Sequence, residues 1–149
     1  MISSRKLLKN GCELVFADVE TFEDGSCPSR VSAVLLGEAF CSAKRSSGID
    51  DLISLLKLAN CRYFCCAGRF AEEMHDRIDE YLLQLDESDE ILFTTTFHRD
   101  EPYSDTASYF LCCTSLLAEP EKEHLFLAIL DNDEAKDNLL EGELLAVSK

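Results

Sequence analysis

Apolar runs of five or six residues, set between stretches that repeat with a helical period, constrain this chain more than any other feature of its sequence. Tyr63-Phe64-Cys65-Cys66-Ala67 is one such run and Leu125-Phe126-Leu127-Ala128-Ile129-Leu130 is another. Segments that short, apolar on both alternating faces, suit inner strands covered from both sides. Gly68 ends the first run, and the stretch 70–85 then places Phe70, Met74, Ile78, Leu82 and Leu85 at spacings of four and three. That is the stripe of a helix with one face on a core. The opposite side of the same helix, with Glu72, Glu73, Asp76, Asp79 and Glu80, reads as a solvated acidic face.

Extended along the chain, the pattern predicts strands at 12–20, 30–40, 62–67, 91–98 and 125–130, and helices at 50–59, 70–85, 104–117 and 134–145. The turn-like segment 23–28 leaves the first two strands either a hairpin or flanks of a loop. Strands that alternate with helices of this length imply βαβ crossovers. The expected fold is α/β, a three-layer sandwich with a mostly parallel sheet of about five strands flanked by helices. At 149 residues and 46% hydrophobic content, the chain can build one such core, and residues 1–149 are expected to form a single domain.

Charge narrows the function. The net charge is −15, and its distribution is lopsided: residues 1–70 carry 8 acidic and 9 basic side chains, whereas residues 71–149 carry 21 acidic and 5 basic. A surface of this sign repels phosphates, so direct nucleic-acid binding is not expected, while a basic protein would be steered toward it. Solubility alone also explains acidic composition. What favours recognition is that the acids cluster, at Asp86-Glu87-Ser88-Asp89-Glu90 and Asp131-Asn132-Asp133-Glu134, in predicted loops beside strand ends.

The eight cysteines include two adjacent pairs, Cys65-Cys66 and Cys112-Cys113, and no Cys-x-x-Cys. Most lie among apolar neighbours, as small hydrophobes do, which fits reduced thiols in a cytoplasmic protein. Zinc held by Cys61, Cys65 and His75 is the alternative. The opening MISSRKLLKNG lacks the apolar stretch of a signal peptide, and no apolar run approaches the about 20 residues that span a bilayer, so neither secretion nor a membrane role is expected.

No phosphate-binding glycine pattern follows Gly68, which reads as a strand-to-helix turn, and no Gly-x-Ser-x-Gly elbow occurs. His98 with Asp100 and Glu101 is the best acid–base constellation, since a neighbouring carboxylate can orient and charge an imidazole. His75 and Asp76, one turn from Asp79, form a weaker candidate for a metal. Gly68, Ala71-Glu72, His75-Asp76-x-Ile78-Asp79 and Thr95-Thr96-Phe97-His98-x-Asp100-Glu101 together resemble a small bacterial domain family of unknown function over residues 62–112. That resemblance implies a bacterial source and marks Glu72, His75, Asp76, Asp79, Thr96, His98, Asp100 and Glu101 as positions of interest, without choosing an activity.

The reading that best fits charge, size and absent catalytic motifs is an acidic interaction protein, an immunity or antitoxin-like inhibitor that occludes a basic partner such as a toxin domain. It needs no cofactor or metal. Its expected contact residues are Glu72, Asp76, Asp79, His98, Asp100, Glu101, Tyr103, Asp131 and Asp133, with Tyr103 and Tyr109 as aromatic anchors. The alternatives are a small metal-dependent or acid–base hydrolase using His98 and nearby carboxylates, and a regulator that mimics nucleic acid.

Overall fold

In the computed structural model, residues 2–7, 12–19, 22, 27–44, 49–85, 94–112, 124–131 and 134–147 are described. The elements follow in the order β1 (Ile2–Leu7), β2 (Glu13–Asp18), β3 (Ala33–Leu36), α1 (Glu38–Lys44), α2 (Ile49–Leu58), β4 (Tyr63–Ala67), α3 (Ala71–Leu85), β5 (Thr94–His98), α4 (Tyr103–Cys112), β6 (Leu125–Leu130) and α5 (Ala135–Val147). The strands form one sheet in the order β1-β2-β6-β3-β4-β5. Five are mutually parallel, and β1 is added antiparallel to β2.

Alternation along the strands divides the core into two layers. Val34, Leu36, Phe64, Cys66, Leu127 and Ile129 point to the side covered by α1, α2 and α3, where Phe40, Ile53, Leu56, Met74 and Ile78 meet them. Ala33, Leu35, Cys65, Ala67, Phe126, Ala128 and Leu130 point the other way, against Ala107 and Phe110 of α4 and Leu140 and Leu144 of α5. On this second face Phe110 meets Phe126 edge-on at 5.3 Å, above a floor of alanines that leaves room for both rings. The fold is the expected three-layer α/β sandwich.

Two details differ from the sequence expectation. The predicted strand 30–40 stops at Leu36, and Phe40 belongs to α1. Gly37 sits where β3 and β6 converge, and a Cβ there would lie 2.6 Å from Leu130 Cδ2 and 2.9 Å from Asp137 Oδ1. The chain turns into a helix at once, with the Cys41 amide bonded to the Gly37 carbonyl at 3.0 Å. The hairpin alternative is also excluded: β6 lies between β2 and β3, and the one antiparallel pair is made by β1, whose polar sequence ISSRKL gives no strand signal.

Strand starts are fixed by backbone contacts. α2 ends with Asn60 in the left-handed region at φ 65°, the Cys61 amide bonding the Leu56 carbonyl and the Asn60 amide that of Lys57. This closure satisfies the last carbonyls and delivers the chain to β4. Nearby, Ser32 Oγ lies 3.0 Å from His124 Nδ1, which accounts for that buried histidine as a bracket between the entrances of β3 and β6. At the far end of β4, Gly68 has φ +92°, and a Cβ there would come within 2.5 Å of Glu38 Cβ. Gly68→Ala is therefore expected to lower the unfolding free energy by about 2–4 kcal/mol, combining left-handed strain with overpacking. Urea denaturation measures it, and an unchanged midpoint would contradict the packing described.

Candidate functional site

The connections leaving the sheet decide where a site can form. After β3 the chain crosses by α1 and α2, and after β4 by α3, on one face; after β5 and β6 it uses α4 and α5 on the other. The adjacent strands β3 and β6 thus send their connections to opposite faces. The crevice between their carboxyl ends is where open α/β sheets hold ligands.

In this protein a side chain of its own occupies that crevice. Asp137, 1% exposed, accepts the Glu38 amide on Oδ1 at 3.0 Å and the Asp131 amide on Oδ2 at 2.9 Å. Its carboxylate lies against the first turn of α1, where backbone N–H groups favour an anion. Burial pushes the Asp137 carboxyl above the usual carboxylate range, outweighing the backbone amides that favour its ionised form. Beside it, Glu38 reaches Lys136 Nζ at 3.5 Å. Tyr103 faces the same group, and burial together with the Glu38 carboxylate raises its phenol.

His98 ends β5 on the α4 side of the sheet. Its Nδ1 faces Glu101 Oε1 at 2.5 Å and its Nε2 lies 3.0 Å from Thr96 Oγ1. The carboxylate can only accept, so Nδ1 carries the proton that it donates. Thr106 donates to the same Glu101 oxygen at 2.9 Å, and the Tyr109 ring lies 4.8 Å from the imidazole. The His98 side chain is 8% exposed. Asp100, expected to join it, turns away beside Arg99 and is 91% exposed. The array ties the start of α4 to the end of β5.

The opposite side of β5 faces α3. Phe97, 43% exposed, meets His75 of α3 edge-on at 5.0 Å. His75 is held between Asp76, 3.0 Å from Nδ1, and Asp79, 3.5 Å from Nε2. Arg99 reaches Glu72 at 3.3 Å across the same corner. Asp76 and Asp79 thus flank the imidazole against which Phe97 rests, and Glu72 and Asp100 flank Arg99 two residues further on, a ring with acids nearby that suits a cationic side chain carrying an apolar stem.

The structure brings together only part of the expected contact set. Asp76 and Asp79 flank His75 beside Phe97 and Glu72 and Asp100 flank Arg99, while His98 and Glu101 pair on the other face. Asp131 is half-buried at the crevice, and Asp133 lies outside the described residues, as do 86–90. Tyr103 and Tyr109 are half-buried against the α4 and α5 layer, so the exposed anchor is Phe97, which is not among the expected contact residues. Cys65 faces the α4 side, whereas Cys61 and His75 belong to the α3 side, which separates the proposed zinc ligands. Among the described residues, no group of three His, Cys, Asp or Glu side chains is placed to hold a metal ion. No helix among them is long and apolar enough to cross a membrane.

Asp137→Asn tests the crevice. An amide keeps one acceptor and sets an NH2 against a backbone donor, so a loss of about 1–3 kcal/mol is expected. The native carboxyl sits above its unfolded value, so its contribution is full below the unfolded value and declines as pH rises through the folded one. The stability gap between wild type and variant should widen as pH falls from neutral toward the ordinary carboxylate range. Paired denaturation curves across that window measure this, and a gap independent of pH would refute it.

No curated protein and no solved structure matches the chain. A family model described as a domain of unknown function, DUF7684, matches residues 25–145. That span holds every strand of the sheet but β1 and β2, the Asp137 crevice and the whole Phe97 corner. The chain belongs to this family of domains of unknown function.

Proposed function

We propose that this protein is an acidic interaction module of the cytoplasm, an immunity or antitoxin-like inhibitor that binds and occludes a basic partner such as a toxin domain. The observation that carries the reading is the Phe97 corner, an exposed ring seated on His75, with Asp76 and Asp79 on that imidazole and Glu72 and Asp100 on the neighbouring Arg99. An aromatic anchor with acids in its neighbourhood combines apolar burial with electrostatic steering. The filled crevice lends further support, since Asp137 occupies the place where an α/β enzyme of this topology would seat a ligand.

A hydrolase built on His98 has the carboxylate, imidazole and hydroxyl in sequence through Glu101, His98 and Thr96. That favours it as the second reading. Against it, the ring is nearly buried, and both its nitrogens already have partners within the fold.

Affinity capture of the tagged full chain from its native lysate, at ~0.1 M and ~1 M salt, tests the proposal, because this change shortens the screening length from about 10 Å to about 3 Å. A stoichiometric basic protein retained at low salt and released at high salt is expected, with at least a ~10-fold weaker complex for the Asp76→Lys, Asp100→Lys double variant, a cost of about 1.4 kcal/mol. A chain that captures no basic protein, and carries a stoichiometric metal by elemental analysis, would overturn the proposal.

A further inference from the structure

We infer that the partner docks by adding an extended, lysine- or arginine-bearing segment to the open edge of β5; this rests on the binding function proposed above and specifies its mode. β5 is the last strand of the sheet, and β4 is its one neighbour among the described residues. The Thr94 amide bonds the Arg62 carbonyl at 2.8 Å, and the His98 carbonyl accepts the Gly68 amide at 3.2 Å. Backbone polar groups alternate in direction along a strand, so those of Thr94, Thr96 and His98 serve the ladder to β4. Those of Thr95 and Phe97 face the open edge.

An edge of this kind is ordinarily blunted by lysine, proline or a bulge. The opposite edge fits that rule: β1 has a register irregularity between Ile2 and Ser4. β5 has none of these. Its sequence, Thr-Thr-Thr-Phe-His, favours pairing, and its Phe97 ring stands exposed beside the groups that would pair. Strand addition draws affinity from the main chain and specificity from alternate side chains. Here Phe97 offers the apolar contact, and Asp76, 72% exposed, and Asp100, 91% exposed, offer anionic ones. A second copy of this chain is the wrong occupant, because each copy carries a net charge of −15 and edge-to-edge pairing would set acid against acid.

The test uses the full chain and, as probe, a synthetic peptide of alternating lysine and valine. Hydrogen exchange by NMR on the wild-type protein should show the Thr95 and Phe97 amides slowed at least ~10-fold when the peptide is added, with the ladder-bonded Thr96 amide unchanged. Thr95→Pro removes one outward donor from an edge position where proline is tolerated. Thr95 Oγ1 has no hydrogen-bond partner to lose. This variant should weaken both peptide binding and capture of the native partner at least ~10-fold, about 1.4 kcal/mol. If the peptide leaves the Thr95 and Phe97 amides unprotected, strand addition is refuted, even where salt-sensitive capture persists and the binding function stands. If capture fails as well, the binding function falls with it.

Discussion

The molecule depends on one carboxylate placed where parallel strands end. Asp137 starts from α5 yet bonds the amides of Asp131 and Glu38, so it joins the exit of β6 to the exit of β3 and both to a third element. Its two oxygens match two donors that would otherwise lie buried without acceptors, the condition under which a buried charge is tolerable. Gly37 and Gly68 follow from this. Gly37 has no room for a side chain because Asp137 and Leu130 close over it, and Gly68 has none because Glu38, displaced into the next strand's exit, stands against it. The tie also fills the crevice in which this topology usually holds a ligand.

Ion pairs do little to hold the rest together. Arg77 with Asp50, Arg99 with Glu72 and Lys136 with Glu38 span 3.3 to 3.6 Å and are partly exposed, a setting in which such pairs contribute about 0–1 kcal/mol each. The charge excess therefore opposes folding more than it assists. Stability rests on the two apolar layers, in which four strands are buried almost throughout, and this lets α3 present an acidic outer face at little cost to the core.

Inner elements were legible in the sequence because burial on both faces leaves a simple signature. The run 125–130 coincides with β6, and the stripe of Met74, Ile78 and Leu82 is the buried side of α3. What escaped was set by tertiary neighbours. β1, an edge strand paired on one side, has a polar sequence without a strand pattern. α1 was absorbed into the predicted strand because Ala39-Phe40-Cys41 is as apolar as what precedes it, and the reason for the break, the approach of Leu130 and Asp137 to Gly37, involves residues about a hundred positions away. Asp137 itself looks like a solvated acid in a charged helix, and no local pattern distinguishes it from Glu141.

Phe97 shows the same limit from the opposite direction. Alternation places it correctly on the face opposite His98, but whether that face is covered depends on strand order, which periodicity does not encode. In the centre of the sheet the same residue would be core, as Phe64 and Phe126 are at 0% exposure. At the edge it stands 43% exposed against His75, and Asp76 and Asp79 of α3, which read as mere solvation, hold that imidazole. A strand whose composition favours pairing, left at an edge without the register irregularity that interrupts β1, is a local departure from the rules the rest of the chain obeys. Departures of that kind concentrate at functional surfaces, which is why the binding function is proposed for this corner rather than for the whole acidic half of the chain.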